Sequence, residues 1–71
     1  MASKITSQMA GTVLDILVKV GETIKSGQDI AILESMKMEV PISSKSNGKV
    51  VAVLKAKGDF VNEGDAVIEI G

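Results

Sequence analysis

Short apolar runs, broken by turn-forming residues, organise this chain. The breaks recur about every ten residues, the spacing expected of a small β-sandwich or barrel. Nine Val, eight Ile and three Thr supply β-branched side chains that favour pleated strands over helices. The pattern predicts strands near Ile5–Ser7, Gly11–Val18, Ile24, Ile30–Glu34, Met38–Ile42, Gly48–Leu54, Val61 and Val67–Ile70. Strict alternation fails at Val13-Leu14 and Ile16-Leu17, where apolar residues are adjacent. A bulge or a strand buried on both faces accounts for such a pair, and periodicity does not choose between them.

The pattern is written twice. Shifting the chain by 37 positions aligns residues 5–34 with residues 42–71 without a gap, and seven of the thirty pairs are identical. These are Ile5/Ile42, Ser7/Ser44, Gly11/Gly48, Val13/Val50, Leu17/Leu54, Gly21/Gly58 and Gly27/Gly64. Conservative pairs fill the intervals, among them Leu14/Val51, Glu22/Asp59, Ile24/Val61 and Ile30/Val67. Two halves with the same turns should build the same substructure, so an all-β sandwich or barrel with a pseudo-two-fold axis is expected.

The segments Gly21–Gly27 and Gly58–Gly64 are the clearest turn units, each with glycine, an acid, an apolar residue and glycine at the same offsets. The apolar residue is expected to plug the core while the glycines reverse the chain. A phosphate-cradling loop is the functional alternative. It is weak, because neither unit is followed by a helical pattern or by the Lys-Ser/Thr pair of a P-loop.

The repeat leaves Ser35-Met36-Lys37-Met38-Glu39-Val40-Pro41 unmatched between two predicted strands, so the chain must reverse there. Tight hairpins favour Asn-Gly, Asp-Gly or another glycine-bearing pair. Here the candidate turn residues are Met36 and Lys37. Local rules are most often broken where function demands it, and a lysine on a hairpin tip is reachable by another protein. Against this, most of the eight lysines must be ordinary solvated surface. Two methionines could equally be core residues of alternating strands.

Composition narrows the function classes. Seventy-one residues hold one small domain, residues 1–71, with no room for a separate substrate domain. A net charge of −1 leaves no electrostatic footprint for nucleic acid or an anionic membrane, and Phe60 is the only aromatic. The chain has no Arg, Cys or His. Disulfides, Cys- or His-based metal sites, thiol nucleophiles and histidine acid–base catalysis are thereby excluded. The polar N-terminus has no signal-peptide core, no run approaches a membrane span, and the default location is the cytoplasm. No catalytic set converges, so a carrier or binding module is favoured over an enzyme.

Glu34-Ser35-Met36-Lys37-Met38-Glu39 closely resembles the biotinylation motif of biotin carboxyl carrier domains, usually written Glu-Ala-Met-Lys-Met. Met9–Val13 resembles that family's first glycine turn and Val20–Ile24 with Gly27 its second; Asn47–Val50 and Lys57–Val61 with Gly64 follow in the expected order. The family's modified lysine lies about 35 residues before the domain end, and 71 − 37 leaves 34 here. The resemblance covers nearly the whole chain. It implies a flattened β-barrel of two four-stranded antiparallel sheets, with residues 5–34 and 42–71 as the two halves, and the lysine in a tight hairpin away from the chain termini. Ser35 stands where Ala is commoner, a small-for-small change expected to be neutral. Gln8 stands in the stretch where a proline is often found. Val18-Lys19-Val20-Gly21 leaves no space for the extra thumb of some bacterial carriers.

An ordinary lysine amine is mostly protonated at neutral pH and does not acylate unaided. The resemblance implies that a biotin protein ligase presents biotinyl-adenylate to Lys37, giving a biotinyl amide. The tethered biotin would then serve a biotin carboxylase and a carboxyltransferase, all supplied by other chains, with this chain a monomer in isolation. Met36 and Met38 are assigned to recognition, and Glu34 and Glu39 to recognition or to a solvated rim. Two alternatives share the barrel: a lipoyl carrier using the same lysine, whose flanks are usually Asp-Lys-Ala, and a structural or adaptor barrel with no cofactor.

Overall fold

The computed structural model describes residues 3–71 and contains eight strands. They are β1 (Ser3–Thr6), β2 (Gly11–Ile16), β3 (Thr23–Ile24), β4 (Asp29–Ser35), β5 (Met38–Ser43), β6 (Gly48–Val53), β7 (Phe60–Val61) and β8 (Ala66–Ile70). They form two antiparallel four-stranded sheets of order β1-β8-β6-β3 and β5-β4-β2-β7. Adding 37 to the residue numbers of β2 and β3 gives those of β6 and β7, and exchanging the halves turns one sheet order into the other. Each sheet takes two strands from each half. The expected two-fold barrel is therefore correct, and its halves are interlocked. The first strand is displaced toward the N-terminus of its predicted place: Ser7 lies beyond β1, where its N–H donates to the Asp65 carbonyl at 2.9 Å.

The axis relates the core residues as well. Twelve of the thirteen buried apolar residues form six pairs: Ile5/Ile42, Val13/Val50, Ile24/Val61, Ile30/Val67, Ala31/Ile68 and Leu33/Ile70. Val18 is the exception, because the second half has Lys55 at that place. Ile24 and Val61 have no exposed surface, so the apolar residue of each glycine loop does plug the core. Gly21, Gly27, Gly58 and Gly64 all have positive φ between 89° and 96°, a region where a side chain would be strained. The loops do not cradle an anion with their first amides, since Gly21 N–H donates to the Val50 carbonyl and Gly58 N–H to that of Val13, both at 2.8 Å. The acids cap the loops from within: Glu22 accepts from Lys19 N–H at 3.2 Å and Asp59 from Ala56 N–H at 2.8 Å.

Bulges explain the broken alternation. Val13 faces Leu33 and Asp15 faces Ile32, so Leu14 is an extra residue in β2; Val51 is its counterpart in β6. Both extra residues turn at least partly to solvent, which resolves the Val13-Leu14 pair as a bulge. A second pair of bulges acts in the opposite sense. Ile30 and Val67 are inserted opposite Ser43–Ile42 and Thr6–Ile5, so the consecutive residues Ile30-Ala31 and Val67-Ile68 are all buried. An inserted residue resets which face the following side chains occupy.

The symmetry is broken at one close approach that matters for the hairpin. A Cβ on Gly11 would collide with the Glu34 carbonyl oxygen and lie 3.0 Å from Leu33 Cγ. At the related Gly48 it would meet the side chain of Ile70, 3.1 Å from Cδ1. Backbone cannot yield as a side-chain end can. Gly11→Ala is therefore expected to cost about 2–3 kcal/mol, and Gly48→Ala about 1 kcal/mol or less. Thermal unfolding of the two variants measures the difference, and equal losses would contradict it.

Candidate functional site

Residues Ser35 and Met38 pair across β4 and β5, leaving Met36 and Lys37 as a two-residue turn. Their φ values are 54° and 65°, and they are the two non-glycine residues with positive φ among the described residues. Two consecutive left-handed residues make the type I′ turn, whose twist matches that of a hairpin. The turn usually holds Asn-Gly because a Cβ in this region costs roughly 1–2 kcal/mol per residue. The chain accepts that cost twice in succession and obtains a lysine at the tip.

All five residues singled out from the sequence lie on this hairpin and are exposed. Met36 keeps 92% of its surface in solvent and Met38 keeps 67%. Neither is a core residue of an alternating strand. Glu34 and Glu39 face each other directly behind the turn. Like charges in that relation are mildly destabilising, so the pair is not there for the hairpin's own stability. Alternation puts both carboxylates on one face of the hairpin and Ser35 with Met38 on the other.

One contact was not foreseen. Ser35 Oγ donates to the Ala10 carbonyl at 2.8 Å, joining the hairpin to the β1–β2 loop. The expectation that Ser in place of Ala is neutral overlooks this bond. Its sequence signal was the hydroxyl itself, at a place where the resemblance offers a methyl.

The tip has the properties of a display site. Its amine is exposed, and Lys37 is not among the walls of the 260 Å³ groove that runs between β1 and β5 past Ile5, Thr6, Val40 and Ile42. Among the described residues no group of three or more acidic side chains is arranged to hold a metal. The structure therefore places an exposed lysine on a left-handed two-residue turn at one end of a small barrel, as the family resemblance implies for a carrier domain.

The comparisons with known proteins specify the class. Residues 1–70 match the biotin/lipoyl family, described as biotin-requiring enzymes, and the chain belongs to that family. It is 52% identical over 66 residues to a biotin/lipoyl attachment protein of Bacillus subtilis, covering 93% of this chain and 90% of that one. It is 42% identical over 69 residues to a biotin carboxyl carrier protein of Streptococcus mutans, covering 97% of this chain and 53% of that protein. The urea carboxylase of Kluyveromyces lactis superposes with a TM-score of 0.92 at 31% identity, covering 100% of this chain and 6% of that one. The chain is a biotin carrier of the kind that serves biotin-dependent carboxylases, and not itself a catalyst.

If the turn is strained as its φ values indicate, supplying the favoured pair should relieve it. Met36→Asn combined with Lys37→Gly is expected to add about 1 kcal/mol of stability, or about 4–8 °C in Tm. A scanning calorimetry trace with Tm unchanged or lowered would contradict the account of the turn.

Proposed function

We propose that Lys37 is the attachment residue and that it carries biotin as an amide on Nζ. The observation that carries this reading is the left-handed Met36-Lys37 turn, which holds a reactive side-chain type where glycine would be more stable. The residues present fit the group. Amide formation needs a primary amine that a large partner can approach, and the exposed tip offers one. In the attachment step deprotonated Nζ attacks the carboxyl carbon of biotinyl-adenylate. The N–C bond forms, the bond to the AMP leaving group breaks, and the amine proton passes to solvent. With no His or Cys in the chain, activation belongs to a biotin protein ligase.

When bound, the cofactor supplies a carboxyl-carrying ring nitrogen; this chain supplies its tether. The arm on Lys37 brings it to a biotin carboxylase and then to a carboxyltransferase, raising its effective concentration at both. Exposed Met36 and Met38 give flexible, polarizable contacts suited to partners of different shape. Glu34 and Glu39 present a negative edge to a basic partner surface. The acceptor that receives the carboxyl group is chosen by the carboxyltransferase. The reading takes the chain as a cytoplasmic monomer when free.

The resemblance to a protein described for both biotin and lipoyl attachment supports lipoate as a second group for the same amine. The two are separated by intact mass after co-expression with a biotin protein ligase or a lipoate ligase. The expected result is one biotinyl group on the unaltered chain and none on Lys37→Arg. A lipoyl group without biotin, or labelling that survives the substitution, would falsify the reading.

Met36→Ala and Met38→Ala test recognition apart from folding. Each is expected to lower kcat/KM for biotinylation by about tenfold, the scale of a modest interface anchor. Because both side chains are largely exposed, Tm should move by no more than about 2–4 °C. Undiminished labelling kinetics in both variants would remove the methionines from recognition.

A further inference from the structure

We propose that Ser35 is a positioning residue for attachment at Lys37, acting through its hydrogen bond to the Ala10 carbonyl. The inference rests on the reading of Lys37 given above.

The hairpin overhangs its support. Pairing between β2 and β4 runs as far as Thr12 opposite Glu34, and β2 begins at Gly11. The next four residues, Ser35 to Met38, extend past that ladder, with Ser35 and Met38 paired and Met36 and Lys37 forming the turn. Within this overhang lie the two residues held at φ 54° and 65°. Each of those side-chain-bearing residues is strained in that conformation, so contacts that fix the base of the hairpin bear on how well the turn is held.

Two features hold the base on one side. Gly11 lets the start of β2 press against the Glu34 backbone, so closely that a Cβ would collide with its carbonyl oxygen. Immediately beyond, Ser35 Oγ donates to Ala10 O at 2.8 Å, across 25 residues of sequence. Among the described residues no other side-chain hydrogen bond links residues 35–39 to another strand or loop. The symmetry-related serines Ser7 and Ser44 bond differently, each donating to a carbonyl two residues ahead within its own loop.

Ser35 Oγ is engaged with the Ala10 carbonyl, so its proposed action on attachment is indirect. Its effect is on the fraction of molecules that present Lys37 in the closed turn. A partner that binds only the closed form sees an affinity reduced by that fraction. Loss of the bond should therefore appear in KM and leave kcat alone. A hydroxyl at the same Cβ should restore it, and threonine is also well suited to a strand.

The experiment compares the unaltered chain with Ser35→Ala and Ser35→Thr. Amide hydrogen exchange at residues 35–38 is read first, since it does not depend on any cofactor. Ser35→Ala is expected to exchange about three- to tenfold faster there, the range for loss of one hydrogen bond of modest net strength. Exchange in β6 and β8 should be unchanged. In steady-state biotinylation by purified biotin protein ligase, Ser35→Ala should show a raised KM with unchanged kcat. Ser35→Thr should return both readouts to those of the unaltered chain. Unchanged exchange in Ser35→Ala overturns the proposal whatever Lys37 carries. Faster exchange with unchanged KM overturns the positioning role, as does a loss confined to kcat. Faster exchange together with failure of the unaltered chain to accept biotin would instead count against the reading of Lys37, with the bond's hold on the hairpin supported.

Discussion

Among the described residues four of the six sheet ladders, β1–β8, β2–β7, β3–β6 and β4–β5, join one half of the chain to the other. β2 lies between β4, from its own half, and β7, from the second. β8 lies between β6 and β1 in the mirrored arrangement. Neither half can satisfy its backbone or cover its apolar face alone. Unpaired backbone groups and exposed core are costly enough that the halves must fold together. The repeat is thus a pairing device. Ile5 with Ile42, Val13 with Val50 and Ile24 with Val61 fill one core from two sides.

That constraint also locates the proposed attachment site. Two-fold exchange maps the Leu33–Val40 pair of the hairpin onto the Ile70–Ser3 pair between β8 and β1. At the first position the strands are joined by Met36 and Lys37; at the second they are not joined by a turn. The hairpin is consequently the place where the sequence has no counterpart to match, and substitution there leaves the interlocked core intact. Folding and the proposed display role are thus separated along the chain. The separation is incomplete only at Gly11 and Ser35, where the body of the barrel touches the base of the hairpin.

Much of this was visible in the residues. The register of 37 survives in the strands, the core pairs and the capped loops, because glycine spacing and β-branched runs report local conformation directly. The turn at Met36-Lys37 followed from the stretch that the repeat leaves unmatched between two predicted strands. Three features were not visible, each for a stated reason. The bulges at Leu14 and Val51 leave an apolar pair that fits two strand geometries equally well. Those at Ile30 and Val67 place consecutive apolar residues inside, which reads as a two-sided strand. The Ser35–Ala10 bond joins residues distant in sequence, and nothing in a local pattern marks a serine whose partner is a backbone carbonyl.

The hairpin carries several unfavourable choices close together: two left-handed side-chain residues, two opposed carboxylates, and two methionines left largely in water. None of them stabilises the barrel, and a glycine turn with neutral flanks would be better for folding. Their coincidence within six consecutive residues, on a body whose remaining irregularities occur in symmetric pairs, separates the site from accidental strain. A flexible loop would also expose a lysine, without the cost of the turn. It would not hold that lysine between fixed neighbours, and the proposed sequence of a ligase and then two catalytic partners calls for one recognisable shape. The interlocked core meets that need by anchoring both strands of the hairpin up to the residues where the turn begins.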